Sequence, residues 1–344
     1  MSQNAEKAKS NLIPFTTHAA LMRETRRRLE YSGGDVGSWR AAGKAKLAEL
    51  LGLDNMPKEP CPLQVRSLWR RRVESGSIEK IVFAVEGTCD ANAYLCLPDN
   101  ARAPYPFFIC LQGHSTGAHV SVALDREDDT KPMAVEGDRD FAYGCLSRGV
   151  ACLCLEQRGF GEREDSYQGV PRCQNPAVHA LMLGRTLLGE RVHDVDRAID
   201  YLLSRGDADP ARIGVMGNSG GGTTSIFAGA LLDRLTHVMP SCAFSSFAAS
   251  IMAMDHCLCN YVPDMLLWFE HADVLGLCAP KSLVVVNGRT DDIFPLREAV
   301  EGFAKVKRIY AASGAAGRCR HVVGDEGHRF YAEPAWNAML EYLH

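Results

Sequence analysis

From Phe107 to the end of the chain, short apolar runs alternate with longer segments whose apolar residues recur at helical spacing. The apolar runs include Phe107–Leu111, Val150–Leu155, Ile213–Met216 and Ser282–Val286. Strands that are apolar throughout and alternate with amphipathic helices are typical of a mainly parallel sheet that is covered on both faces. The sequence therefore predicts an α/β fold, in which a mainly parallel, doubly wound sheet carries helices on both faces.

The beginning of the chain follows a different pattern. Residues 1–62 are mostly helical in pattern, and Arg40–Leu51 has helix-forming composition before Gly52, a typical helix stop. From Leu63 to Pro98 the apolar residues alternate with polar ones, which is typical of strands. We therefore expect an N-terminal helical extension over residues 1–62 and one larger domain over residues 63–344.

The charge of the chain gives no support for a polyanionic partner. The net charge is -4 at pH 7, and the basic runs Arg26–Arg28 and Arg70–Arg72 are short enough to be solvated faces. No stretch approaches the ~18 apolar residues that a membrane span needs. We expect neither a nucleic-acid partner nor a membrane partner, and a homo-oligomer is left open.

The cysteines favour a particular compartment. The 13 cysteines are scattered and odd in number, and several lie in apolar runs, as Cys110, Cys152 and Cys154 do. A free cysteine behaves there as a small apolar residue. The first residues also lack the apolar core of a signal peptide. These features favour free thiols in a reducing cytoplasm.

One short segment contains residue types that bind zinc. It reads Asp255-His256-Cys257-Leu258-Cys259. A closed structural zinc site needs four ligands, and no second pair of Cys or His residues follows at finger-like spacing. We therefore predict reduced cysteines in a packed segment, with no metal and no cofactor.

The strongest chemical signal follows the apolar run Ile213–Met216. The chain continues as Gly217-Asn218-Ser219-Gly220-Gly221, and a helical pattern begins directly afterwards. This Gly-X-Ser-X-Gly segment between a strand and a helix predicts a sharp turn that lifts the serine hydroxyl above the sheet. The glycines fit because their neighbours must approach without side chains. We predict Ser219 as a nucleophile, with the backbone N–H of Gly220 free to donate a hydrogen bond.

A serine hydroxyl needs a base, and the order serine, acid, histidine is expected along such a chain. His328 follows the last predicted strand, directly after a glycine, and is the predicted base. His321 lies within that strand and is expected to be a packed or surface histidine. The acid is expected in the loop after Ser282–Val286, where Asp291 and Asp292 are both candidates.

A further element follows the strand Phe107–Leu111, where the chain reads Gln112-Gly113-His114. Gly113 would let the backbone turn so that the N–H of His114 points into the site. Together with the N–H of Gly220 it would bind an oxyanion, and one such donor contributes about 3–4 kcal/mol. The chain position of His114 is unsuited to the base, so its backbone is the expected contribution. Gln112 is a candidate substrate contact.

From about residue 63 onward the chain resembles the α/β-hydrolase superfamily. Asp209–Gly221 resembles the nucleophile region of the prolyl-oligopeptidase and acetyl-esterase branches. Gln157–Gly161 resembles the Arg-Gly loop of acetyl xylan esterases and cephalosporin-C deacetylases, which makes Arg158 a second candidate substrate contact. The helix pattern from Leu187 to Leu202 is similar to the helix before the nucleophile in acetyl-xylan-esterase-like hydrolases.

The resemblance also indicates which residue is the catalytic acid, and it shows two positions at which the chain departs from the family pattern. It implies that the acid is Asp291, three residues after Gly288, rather than Asp292. The deacetylases usually carry Gln after the nucleophile and Glu after the catalytic histidine, where this chain has Gly220 and Arg329.

We predict a serine hydrolase that cleaves carboxylic esters through an acyl-enzyme, with a preference for short acyl groups on small or sugar-like alcohols. One alternative is a small peptidase of the prolyl-oligopeptidase branch, although the long N-terminal propeller of that branch is lacking. Another is a non-catalytic binding protein on a hydrolase fold, which would typically have lost a member of the triad. Residues 115–139 and 245–279 are expected to form a rim or lid, and packed connecting helices fit them equally well.

Overall fold

A computed structural model describes residues 12–164 and 173–343 of the chain. In this part of the chain nine strands form one sheet in the order β1-β2-β3-β5-β4-β6-β7-β8-β9. The strands are β1 (Arg66–Val73), β2 (Gly76–Glu86), β3 (Cys89–Pro98), β4 (Tyr105–Leu111), β5 (Ala151–Leu155), β6 (Ala208–Asn218), β7 (His237–Ser241), β8 (Ser282–Gly288) and β9 (Cys319–Gly324).

The sheet has an antiparallel part and a larger parallel part. β1, β2 and β3 pair antiparallel, and β3 also pairs antiparallel with β5. All pairs from β5 through β4 to β9 are parallel. The carboxyl ends of β4 to β9 therefore lie at one edge of the sheet, where the loops that carry functional residues are expected.

Helices cover both faces of the sheet. They are α1 (Pro14–Glu24), α2 (Val36–Leu50), α3 (Ala118–Ser121), α4 (Phe141–Leu146), α5 (Gln174–Met182), α6 (Leu187–Arg205), α7 (Gly220–Leu231), α8 (Met265–Trp268), α9 (His271–Gly276), α10 (Leu296–Ala312) and α11 (Ala332–Leu343). Together with the sheet order, they confirm the predicted α/β architecture.

The two faces of the sheet build two separate cores, because side chains alternate along a strand. In β4, Phe107 and Ile109 pack in the core that α2, α6, α7, α9 and α10 cover. Phe108 and Cys110 of the same strand point to the opposite core, beneath α3, α4 and α11. The apolar runs of the sequence are apolar throughout because both faces of these strands are buried.

The N-terminal helices differ in how they pack. α1 has no buried residue, whereas α2 inserts Leu47 into the core on one face of the sheet, and Leu51 follows it there. Asp35 caps α2 by accepting a hydrogen bond from the N–H of Gly37, so the helix begins earlier than the composition indicates. The domain boundary near residue 62 stays a prediction.

The two segments expected to form a rim contain short elements. Residues 115–139 carry α3, and residues 245–279 carry α8 and α9. Their role as a rim or lid also stays a prediction. No helix within residues 12–164 and 173–343 is long and apolar enough to cross a membrane.

Candidate active site

Ser219 lies in the sharp turn between β6 and α7. Its backbone has φ 56° and ψ -122°, a conformation that an L-residue adopts only under strain. Two backbone hydrogen bonds support the turn, from Ser219 N to the carbonyl of Ser241 at 2.9 Å and from Thr223 N to the carbonyl of Ser219 at 2.9 Å. The serine is thus presented at the carboxyl edge of the sheet, at the N-terminus of a helix that favours negative charge.

The glycines around the serine are required by the neighbouring strand. A Cβ at position 221 would lie 2.0 Å from the carbonyl oxygen of Leu111, and a Cβ at position 217 would lie 2.6 Å from the same oxygen. No side chain fits at either position without moving the backbone of β4. The end of β4 is therefore pressed directly against the turn.

The loop after β4 runs past the serine. A Cβ at position 113 would lie 3.0 Å from Cβ of Ser219 and 3.1 Å from the carbonyl oxygen of Asn218. The hydroxyl of Thr116 donates a hydrogen bond of 2.8 Å to the carbonyl of Gly113 and thereby holds the loop. Gly113 thus brings the backbone of His114 next to the serine turn.

His328 and Asp291 form a hydrogen-bonded pair. Nδ1 of His328 lies 2.9 Å from Oδ2 of Asp291. The other oxygen of Asp291 accepts hydrogen bonds from the N–H groups of Ile293 at 2.9 Å and Phe294 at 3.1 Å. Asp291 is buried, whereas Asp292 is exposed. The structure therefore brings Asp291 rather than Asp292 to the histidine.

The environment of Asp291 keeps its carboxylate ionised. Burial alone raises the pKa of Asp291, but the hydrogen bond and charge of His328 and the two backbone N–H groups outweigh it and lower the pKa below its usual range. An ionised, fixed carboxylate can orient an imidazole and stabilise its protonated form.

Cys242 is a neighbour of this pair that the sequence did not single out. Its Sγ, a carboxylate oxygen of Asp291 and a ring nitrogen of His328 lie within 4.8 Å of one another. Burial and the charge of Asp291 raise the pKa of Cys242 to about 12, so the thiol stays neutral. It donates a hydrogen bond to the carbonyl of Arg329 at 3.1 Å.

Gly220 differs from the Gln that similar deacetylases usually carry, and the structure explains why. A Cβ at position 220 would lie 2.8 Å from Nδ1 and Cε1 of His114 and 3.2 Å from Cζ of Phe160. The imidazole of His114 packs edge-on against Phe160, with 4.9 Å between the ring centres. The side chain of His114 thus occupies the space beside the serine turn that a larger residue at 220 would need.

A second row of rings borders the site and was also missed in the sequence. The ring of Phe294 stacks on His328 at 6.0 Å, and His256 contacts Phe294 at 5.9 Å and His114 at 6.3 Å between ring centres. Burial, followed by the nearby charges of His114 and His328, lowers the pKa of His256 to about 4. His256 is therefore a neutral side chain of the site wall at neutral pH.

Arg158, a candidate substrate contact, has internal partners, and its role in substrate binding stays a prediction. Its largely buried guanidinium bonds both carboxylate oxygens of Asp194, at 2.9 and 2.7 Å. It also pairs with Glu86 at 2.7 Å and Glu190 at 3.4 Å. Burial opposes the charge of Arg158, but Asp194 raises its pKa above the usual range. Arg158 is an internal cation that joins β2 to α6.

Gln112 and Arg329 also have internal partners. The amide of Gln112 is buried and donates hydrogen bonds to the hydroxyl of Ser121 at 2.8 Å and the carbonyl of Arg139 at 2.6 Å. It holds the 115–139 segment in place, and its candidate role as a substrate contact gains no support.

Arg329 pairs with Asp138 at 2.8 Å and Glu326 at 3.0 Å. Arg329, the second departure from the deacetylase pattern, therefore forms ion pairs that join residues 115–139 to the loop that carries His328.

Comparisons with known proteins indicate which proteins the chain resembles. The family description "Acetyl xylan esterase (AXE1)" matches residues 137–273. YtaP of Bacillus subtilis (strain 168), a proposed hydrolase, is 27% identical over 301 residues, which cover 84% of this chain and 94% of that protein.

Solved structures share the fold at low sequence identity. A proposed acetyl xylan esterase from Bacteroides fragilis NCTC 9343 superimposes with a TM-score of 0.74 at 16% identity, covering 91% of this chain and 83% of that one. A glucuronoyl esterase from Solibacter usitatus gives a TM-score of 0.65 at 17% identity, covering 90% and 93%.

The chain has the α/β-hydrolase fold. The predicted resemblance to the acetyl xylan esterase branch is confirmed, and so is the predicted class of enzyme, a hydrolase of carboxylic esters.

The geometry of the two acids gives the first prediction. Asp291→Asn should lower kcat on the order of 10⁴-fold, because the amide would hold His328 in the wrong tautomer. Asp292→Asn, the matched control, should leave kcat close to that of the wild type because the side chain is exposed. Steady-state kinetics on p-nitrophenyl acetate measures both. A larger loss in Asp292→Asn would transfer the role to that residue.

The buried ion pairs of Arg158 give the second prediction. Arg158→Met should lower the free energy of unfolding by about 1–3 kcal/mol, because it removes one of the two arginines that pair with the buried carboxylate of Asp194 and leaves Arg163. The control Arg72→Met removes an exposed pair with Asp99 and should change the free energy of unfolding little. Urea denaturation followed by circular dichroism measures both variants. A folded Arg158→Met of unchanged stability but strongly raised KM would instead support Arg158 as a substrate contact.

Proposed function

We propose that Ser219 attacks the carbonyl carbon of an ester while His328 removes its proton, and that His328 gives this proton to the leaving alcohol as the acyl-enzyme forms. His328 then takes a proton from water, which attacks the acyl-enzyme, and gives that proton to the oxygen of Ser219 as the acid leaves. Asp291 orients the imidazole and stabilises its charged form. The observation that carries this proposal is the His328–Asp291 hydrogen bond of 2.9 Å at the same sheet edge as the strained serine turn.

The developing oxyanion would be bound by two backbone N–H groups. Gly220 lies at the first position of α7, where its N–H has no partner within the helix. The backbone of His114 follows Gly113, which touches the serine turn. These two groups approach the serine from different elements, as an oxyanion hole requires.

Replacement of the nucleophile tests the proposal. Ser219→Ala should fold normally and lose activity on the order of 10⁴–10⁶-fold. The measurements are hydrolysis of p-nitrophenyl acetate and labelling by a fluorophosphonate probe, which should modify the wild type and not the variant. Cys242→Ser, a nearby thiol replaced by a hydroxyl, is the control and should still be labelled. Activity within tenfold of the wild type in Ser219→Ala would refute the proposal.

The substrate that we propose is a short acyl ester, acetyl above all, of a small or sugar-like alcohol. The family match and the acetyl xylan esterases and glucuronoyl esterase among the similar structures support this class. The walls of the site support a short acyl group. The imidazole of His114 occupies the space beside Gly220, where Phe160 and His256 contact it, and Phe294 contacts His256 in turn.

The acyl preference can be measured directly. The value of kcat/KM should fall from p-nitrophenyl acetate to butyrate to octanoate, in a graded way, because one methylene changes binding by only about 1–3 kcal/mol. Acetate release from a fully acetylated monosaccharide, with Ser219→Ala as the blank, tests the sugar-like alcohol. Fastest cleavage of the octanoate would contradict the short-acyl assignment and would indicate a long acyl groove under residues 245–279.

We also propose that the protein works in the cytoplasm on small-molecule esters. All 13 cysteines are free thiols, which suits a reducing compartment. A homo-oligomer remains a prediction that awaits a measurement of mass in solution.

A further inference from the structure

Three segments that are distant in sequence bring three thiols and an imidazole together beside the active site. Nε2 of His114 lies 2.9 Å from Sγ of Cys259. One ring nitrogen of His114 and the Sγ atoms of Cys173 and Cys257 lie within 4.8 Å of one another. Cys259 joins this group through its contact with His114. We call these four residues the thiol–histidine cluster.

The other thiol cluster of the protein shows what an ordinary packed group looks like. Cys96, Cys110, Cys145, Cys152 and Cys154 lie in the core beneath α4, fully buried among apolar side chains and without a histidine. Cysteine acts there as a small apolar residue. The thiol–histidine cluster differs because it is built from loops, includes an imidazole and reaches the surface through the half-buried Cys257.

The chemistry of the cluster matches that of a closed metal site. Three cysteine sulfurs and one histidine nitrogen are a ligand set that structural zinc uses, in tetrahedral geometry and with no position left for water. Soft thiolate ligands select zinc over magnesium or calcium. Cys257 and Cys259 are separated by one residue, and the other two ligands come from the loop after β4 and from the residue before α5. Because the four ligands come from three separate segments, the motif around Cys257 and Cys259 did not reveal them.

A buried cation lies near the cluster. Arg191 is almost fully buried, and its charge acts on the thiols of Cys173, Cys257 and Cys259. Its guanidinium is held over the ring of Phe160, 4.2 Å from the ring centre, and by the carbonyl of Arg158 at 2.8 Å. A fixed positive charge thus offsets part of the negative charge that three thiolates would place in the cluster.

We propose that Cys173, Cys257, Cys259 and Nε2 of His114 bind one zinc ion, which has a structural role. The ion links the 257–259 turn and Cys173 to the loop after β4. That loop carries the backbone N–H of His114 beside Ser219, so the metal fixes the site wall without touching the substrate. The proposal stands on the three ligand atoms that lie within 4.8 Å of one another and on the contact of Cys259 with His114, and it does not depend on the esterase activity.

Metal content tests the proposal. Protein expressed in zinc-supplemented medium and purified without chelator should contain about one zinc ion per chain by elemental mass spectrometry. The double variant Cys257→Ser/Cys259→Ser should contain little or none. The matched control is Cys61→Ser, a half-buried cysteine outside the cluster, which should retain the metal of the wild type. A metal-free wild type, or equal zinc in the double variant, would overturn the proposal.

A second measurement keeps the proposal testable if the double variant does not fold. Wild-type protein, stripped of metal under reducing conditions and loaded with Co²⁺, should show the visible d–d bands of a tetrahedral ion and a sulfur-to-cobalt charge-transfer band. Zinc should displace the cobalt and raise the thermal midpoint of the stripped protein. Absence of both bands in folded protein, or a Cys173–Cys257 disulfide found by peptide mass mapping of the protein as purified, would refute the metal site.

Discussion

The contact between the carbonyl of Leu111 and the two glycines of the serine turn is the constraint on which the site depends. The approach is so close that Gly217 and Gly221 have no space for a side chain. It holds the end of β4, the turn after β6 and the start of α7 as one unit. The strained backbone of Ser219 can persist because these elements hold it in place, and the same contact would position the proposed oxyanion donors.

Neighbouring residues accommodate the two positions, 220 and 329, at which the chain departs from the deacetylase pattern. His114 takes the volume next to Gly220 that a glutamine would fill, and Arg329 replaces a glutamate while binding Asp138 and Glu326. Both substitutions change the wall of the site and leave the serine turn and the His328–Asp291 pair intact. The wall of the site can therefore change between related proteins while the serine turn and the His328–Asp291 pair stay the same. For this reason the fold alone does not identify the ester that is cleaved.

The sequence predicts well what is encoded locally and poorly what depends on distant partners. The strands, the serine turn and the position of His328 after a strand follow from patterns within a few residues. Arg158 shows the limit, because its partner Asp194 lies 36 residues away and Glu86 lies in another part of the sheet. The rings of His256 and Phe294 and the contacts of Cys173 with Cys257 likewise arise only when separate loops converge.

The edge strand β1 has a consequence for solubility. A strand at the edge of a sheet exposes unpaired backbone groups that can template association with another chain. Of the eight residues of β1, Arg66, Arg70, Arg71 and Arg72 are cationic, and the strand is largely exposed. Two such strands brought together from separate molecules would align like charges across the new pair, which is unfavourable. The arginines of β1 thus protect a large open sheet from edge-to-edge aggregation, although in the sequence alone they resemble a site for a polyanion.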